Sequence, residues 1–200
     1  MFPFRKDIPK HRANRRVCKN YSSYKKTLRA DFGKRCGYCN SLDINRIRSY
    51  VIDHFVPQTP DGWTHTIPPN EYTNLIYACS FCNGAKSNKW PTRIANKPNN
   101  GIVGFVKPTL KSYSKLFRRS IDGSIIVFKN NTIGAYIYKE LDFNLDIRAL
   151  NWKFEKILEQ EKVLEELIKK HTDKTTKDEL EKIKLLRLEI VDGINRLYNA

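Results

Sequence analysis

Four of the five cysteines fall into two pairs, Cys36 and Cys39 in "CGYC" and Cys79 and Cys82 in "CSFC". Thiolates are soft ligands, and each CxxC knuckle can offer two of them to one tetrahedral ion, so the two knuckles together form a four-sulfur site suited to zinc. Such a site is closed, which makes its ion structural rather than catalytic. Binding on the order of 10 kcal/mol would make the surrounding fold depend on it. Cys18 is left over and reads as an ordinary thiol.

The segment between the knuckles carries different chemistry. Asp53 and His54 in "DHFVPQ" set a hard oxygen beside an imidazole, Asn74 follows in "NL", and Asn83 and Lys86 stand in "NGAKS" directly after the last cysteine. Neighbours on a strand point to opposite faces, so Asp53 and His54 can serve one site only where the strand ends or bends, and Pro57 supplies an ending. Alone, Asp53 reads as a turn cap and His54 as a satisfied, half-buried histidine. His65 reads as a loop residue, and Trp63 and Trp90 as packing residues, with Trp63 also able to stack on a base.

These residues need elements to hold them. Residues 22–32, "SSYKKTLRADF", put Tyr24, Leu28 and Phe32 on one face behind a Ser cap, which predicts a short helix ending at Gly33. "RSYVIDHFVP", 48–57, is β-branched and aromatic and predicts a strand; 58–73 is rich in turn residues and predicts an ordered loop; "NLIYA", 74–78, predicts a second strand. A helix is expected from near Cys82 to before Pro91. Polar residues 96–104 suggest a boundary, followed by mixed strand and helix signals. From 147 onward Ile147, Leu150, Phe154, Ile157, Leu164 and Ile168 fall on alternating steps of three and four interrupted only by Glu161, and beyond a polar break Leu180, Ile183, Ile190, Ile194 and Leu197 resume the pattern. That pattern predicts a helical hairpin, which either packs on its own domain or forms a dimer or partner interface.

The order CxxC, DHxxP, N-L, CxxCNxxK resembles the HNH (ββα-metal) endonucleases in their HNN form, over about residues 34–91. "DHFVPQ" and "NGAKSN" are also similar to the HNH domain of CRISPR effector nucleases. The resemblance implies a ββα-metal finger, stapled by zinc, at 34–95; with the charge and periodicity readings this gives an α+β chain with a basic arm and helix at 1–33, a small mixed segment at 96–146 and an antiparallel helical hairpin at 147–200. The resemblance also implies His54 as the general base that deprotonates water, Asp53 and Asn83 as ligands of a catalytic Mg²⁺ or Mn²⁺, Asn74 as the residue that orients the histidine by a hydrogen bond, and Lys86 as a phosphate contact. Imidazole titrates near neutrality, and carboxylate and amide oxygens suit a hard divalent ion, so the roles are chemically consistent. More loosely, "YTNLIYACSFCNGAKSNKWP" followed by a strand–turn segment and an "LDFN" plus long-helix tail resembles stand-alone HNH proteins of bacterial defence systems, including the Septu-type nuclease subunit, which implies an ATPase partner.

Composition narrows the partner. The net charge is +16, and the first fifty residues hold 14 Lys/Arg against 3 Asp/Glu, whereas the last fifty hold 11 of each. An excess concentrated in the front suits a polyphosphate, because neutralising phosphates releases counterions; a nucleic-acid partner is expected, DNA favoured and RNA possible, a choice the charge itself does not make. No stretch is apolar enough for a membrane span and the N-terminus lacks a signal-peptide core, so a cytoplasmic protein is expected. Two rival readings use fewer of these residues: a non-catalytic zinc-stapled nucleic-acid-binding module, and an assembly subunit working through a hairpin-mediated homodimer or partner.

Overall fold

The computed structural model describes residues 1–43, 49–170 and 174–199 and is α+β. It divides into two compact units, residues 1–121 with 125–144, and 122–124 with 145–200. The arm, the finger and the mixed segment, expected as three parts, thus belong to one unit. They share one hydrophobic cluster that includes Phe4, Leu28, Tyr50, Leu75, Phe105, Phe117 and Phe143. The polar stretch at 96–104 is a tight bend inside that unit rather than a boundary. A Cβ at Gly104, whose φ is +115°, would lie 2.3 Å from the Pro98 carbonyl oxygen, so the chain approaches itself where only glycine fits.

Strand β1 is only Phe2–Pro3. The expected first helix is a single turn at Tyr21–Tyr24 followed by α1, Lys25–Asp31. Its cap is Asn20, whose Oδ1 accepts from the Ser22 amide at 2.9 Å, so the cap precedes the serine expected to supply it. Tyr24, Leu28 and Phe32 are all buried, as their spacing on one face requires.

Strands β2, Tyr50–His54, and β3, Leu75–Cys79, form an antiparallel ladder that pairs Tyr50 with Cys79 and His54 with Leu75. Arg48, expected in the first strand, lies outside the described residues. β2 ends at His54, before Pro57, and Asn74 stands in the turn that precedes β3 rather than in the strand. All five residues of β3 are buried, which accounts for its unbroken apolar run. Helix α2, Ser80–Lys86, starts immediately after β3 and stops where Ser87 takes a φ of +46°. It begins before Cys82 and ends well before Pro91, because the second knuckle is the strand-to-helix turn itself.

The mixed segment contains α3, Lys111–Lys115, β4, Phe117–Arg119, β5, Ile125–Val127, and α4, Thr132–Glu140. β4 lies between β1 and β5 in a three-stranded antiparallel sheet, so the first residues of the chain are woven into this segment.

The second unit is built of α5, Asp146–Lys170, and α6, Lys174–Asn199. The turn between them, 171–173, and the side chains of Ile194 and Leu197 lie outside the described residues. Glu161, the interruption of the apolar pattern, is buried and accepts from Arg187 Nη1 at 3.0 Å, so an ion pair between the helices takes the place of an apolar contact. No helix among the described residues is long and apolar enough to cross a membrane.

Candidate active site

The first knuckle lies in the loop after α1, folded tightly by its own backbone. Cys36 N–H donates to Ser41 O at 2.9 Å, Asn40 N–H to Cys36 O at 3.0 Å, and Gly37 N–H to Tyr77 O of β3 at 2.8 Å. The last bond docks this knuckle beside the strand that carries the second. A side chain at Gly37 would collide with Ile76 and Phe32 at 2.7 Å, so the docking requires glycine. All four cysteines are buried, and their sulfurs lie within 4.8 Å of one another. Cys39 Sγ and Cys79 Sγ are 3.8 Å apart. A tetrahedron with metal–sulfur bonds of about 2.3 Å has edges of about 3.8 Å, so four thiolates at this spacing fit a zinc ion. Burial would raise Cys79, yet hydrogen bonds with Cys36 and Cys82 outweigh it and bring the thiol to about 6. Cys36 is pushed well up by burial.

At the other end of the ladder His54 is half-exposed. Its Nε2–H donates to the Pro69 carbonyl at 2.8 Å, and Tyr21 meets the ring edge-on with centroids 4.7 Å apart. A carbonyl can only accept, so Nε2 carries a proton, and in the neutral ring Nδ1 keeps its lone pair. Among the described residues Nδ1 has no hydrogen-bond partner. The imidazole is therefore in the tautomer of a base, with its ring fixed from two sides.

Asn74 does not reach the imidazole. Its Oδ1 accepts from Val56 N–H at 2.9 Å and its Nδ2 donates to Val56 O at 3.0 Å, while its own carbonyl accepts from Phe55 N–H at 2.8 Å. The side chain clasps the backbone two residues beyond the histidine and closes the base of the loop. A hydrogen bond of Asn74 to His54 was expected; the clasp acts on the histidine only through the chain.

Asp53 and Lys86 depart further from expectation. Asp53 is 6% exposed and Lys86 0%. The ammonium lies 3.2 Å from Asp53 Oδ2 and 3.3 Å from Oδ1, and donates to the His54 carbonyl at 2.9 Å. The hydroxyl of Tyr38, from the middle of the first knuckle, donates to Oδ2 as well. Burial pushes the Asp53 carboxyl up, against the pull of Lys86 and Tyr38. Lys86 therefore faces inward and holds no phosphate, since α2 turns that residue towards β2. Asp53 is filled by internal partners, so the carboxylate half of the expected divalent-metal pair does not fit as arranged. Asn83 does remain open: it is half-exposed, and among the described residues its side-chain amide has no hydrogen-bond partner.

The basic arm is fastened to this end of the ladder. His11 Nε2–H donates to Leu75 O at 2.7 Å, and Arg12 pairs with Asp31 through Nε at 2.5 Å. Arg15 lies over the Tyr72 ring at 4.6 Å, and Asn70 Nδ2 donates to Cys18 O at 3.0 Å. Arg16, Lys19, Lys25 and Lys26 stay exposed on either side of Tyr21, the residue that touches His54. Trp63, half-buried, lines a cleft of about 430 Å³ with Lys89, Trp90 and Arg93. His65 braces its own loop, with Nε2–H donating to Pro57 O at 2.8 Å.

Residues 36–89 match the family model described as HNH endonuclease. The match covers both knuckles, Asp53, His54, Asn74 and Asn83. No curated protein and no solved structure matches the chain. This segment is thus similar to an HNH endonuclease domain and carries a four-cysteine cluster arranged to bind a metal ion. Sequence reading passed over two side chains of the site. Tyr38 was legible in principle, as a hydroxyl enclosed in a closed knuckle and in need of a buried acceptor. Tyr21 and the Pro69 carbonyl carry no sequence signal, because the fold alone brings them to the histidine.

Proposed function

We propose that the chain is an endonuclease that hydrolyses phosphodiester bonds, with His54 as general base. The observation that carries this reading is the Nε2–H bond to Pro69 of a half-exposed His54, whose Nδ1 has no hydrogen-bond partner among the described residues and can accept a proton in the neutral ring. A water beside Nδ1 gives up its proton to that nitrogen as the water oxygen bonds to phosphorus, the P–O bond to the 3′-oxygen breaks, and the departing oxygen takes a proton from solvent; the base is worth about 10²–10⁴ in rate. Tyr21 and the carbonyl keep the ring from turning. Exposed Arg16, Lys19, Lys25 and Lys26 take up backbone phosphates, which positions a strand without specifying its sequence. Trp63 offers a face on which an adjacent base can stack.

In this reading the four cysteines hold a structural zinc, and the carbonyl-tied histidine acts with a divalent ion, Mg²⁺ or Mn²⁺. The open oxygen for that ion is the Asn83 amide; Asp53 becomes available to it only after Lys86 has moved. DNA is the favoured substrate, and the setting is bacterial defence or restriction in the cytoplasm, beside an ATPase partner or as a homodimer through residues 147–200. These last elements draw support from the sequence resemblance. The filled Asp53 favours a second reading, a non-catalytic zinc-stapled subunit that binds nucleic acid.

The two readings separate when the purified chain meets supercoiled plasmid and, separately, total RNA in Mg²⁺, Mn²⁺ or EDTA. The endonuclease reading expects metal-dependent cleavage that falls about 10²–10⁴-fold in His54→Ala at unchanged zinc content. Binding without cleavage by the zinc-loaded parent overturns it in favour of the second reading.

A further inference from the structure

Arg5 is a buried cation with no acid beside it. It follows β1, is 7% exposed, and lies between the rings of Phe4 and Tyr113, 5.0 Å from each centroid. Nη2 donates to Gly37 O at 2.8 Å and Tyr38 O at 3.4 Å, and Nη1 to Pro108 O at 3.2 Å. Nε is buried without a partner. Every acceptor is a neutral carbonyl, and among the described residues no carboxylate lies within 4.0 Å of the guanidinium.

A guanidinium stays charged in a protein, and burying one without a counter-ion costs several kcal/mol. The anion has to come from elsewhere. Gly37 and Tyr38 stand between Cys36 and Cys39, so Arg5 is bonded to the backbone of the first knuckle. Arg119 is 2% exposed and donates to the carbonyl of Cys39 itself at 2.9 Å. A divalent ion bound by four thiolates carries a net charge of −2, and two guanidinium groups lie buried against its loop. Burial lowers Arg5, and Tyr113, Cys36 and Cys39 offset this only in part.

We propose that Arg5 is the internal counter-charge of the four-thiolate site, so that metal retention depends on the first residues of the chain. The proposal rests on the zinc reading of that site. It also removes Arg5 from the set of phosphate contacts and explains the short strand β1, which carries a cation into the core.

The test is zinc release from the full chain to an excess of a colorimetric chelator, with bound zinc measured beforehand by elemental analysis. Arg5→Gln keeps a donor and loses the charge; Arg5→Lys keeps the charge and loses the planar fork. Arg12→Met, at an exposed pair, is the control. Arg5→Gln is expected to release zinc about 10–100-fold faster than the parent, the range for removing a group that supports metal ligands, with Arg5→Lys near the parent. Parental release by Arg5→Gln, or equal acceleration in Arg5→Gln and Arg5→Lys, overturns the proposal. A parent without zinc overturns the zinc reading and this proposal together. Should Arg5→Gln fail to fold, Arg5→Lys decides: a parental rate supports the counter-charge and a tenfold faster one removes it.

Discussion

At the Tyr50–Cys79 end of the β2–β3 ladder each sulfur is buried and surrounded, whereas at the His54–Leu75 end a ring nitrogen of His54 has no hydrogen-bond partner among the described residues. Five residues of strand separate the two. The contrast matches what the proposed roles require: a closed set of ligands would hold the chain together, and an open one would admit water and phosphate. Asp53, Tyr38 and Lys86 lie between, joining the closed end to the open one through buried polar contacts.

Removing the closed end gives the largest effect. Cys79→Ser, or stripping the ion with a strong chelator, should unfold the first unit, since the ion contributes on the order of 10 kcal/mol. The check is loss of cooperative melting by calorimetry; retained melting would make the clip dispensable. Next in size is the link between the ends. Lys86→Met leaves the Asp53 carboxylate buried and unpaired, at a cost of about 3–5 kcal/mol, and adding Asp53→Asn should return part of it. Urea titration of both variants measures this, and a Lys86→Met chain as stable as the parent would mean that the pair holds nothing.

The smallest effect is at the arm. Asp31 accepts from Arg12 N–H at 2.9 Å and from Tyr72 Oη at 2.7 Å. Burial works to raise its pKa, yet these hydrogen bonds and the Arg12 charge hold the carboxyl below its ordinary value. A lowered carboxyl adds stability at neutral pH that disappears as pH falls through the lowered value. Asp31→Asn should therefore lose on the order of 1 kcal/mol near pH 7, mostly through the Tyr72 bond because water screens the Arg12 pair, and the gap to the parent should close in acid. Denaturant midpoints at pH 7 and pH 3 show it; a gap that widens in acid would contradict the assignment.

The closed end was readable from sequence because sulfur spacing is local: two CxxC strings announce four ligands before any fold is known. The strands, the second helix and the long hairpin were readable for the same reason, since each rests on a short-range period. What failed was orientation. Nothing in "NGAKS" says that Lys86 turns inward to a buried carboxylate, or in "NLIYA" that Asn74 clasps Val56 rather than the imidazole. Such partners lie 18 to 33 positions apart. The sharing of one core by Phe4, Phe117 and Phe143 is equally non-local, so the arm looked detached and is not.

The loop beyond the histidine is closed twice, by Asn74 on Val56 and, inside that ring, by His65 on Pro57. Pro69, which meets the imidazole, lies outside the inner ring. The turn at Asp61-Gly62 lies within it, where Gly62 has a φ of +73° and open space around it. Lengthening a closed loop costs only about 0.6 kcal/mol per doubling. The inner ring is thus a port for variation: loops of different reach can be grafted at Asp61-Gly62 while the histidine keeps its place.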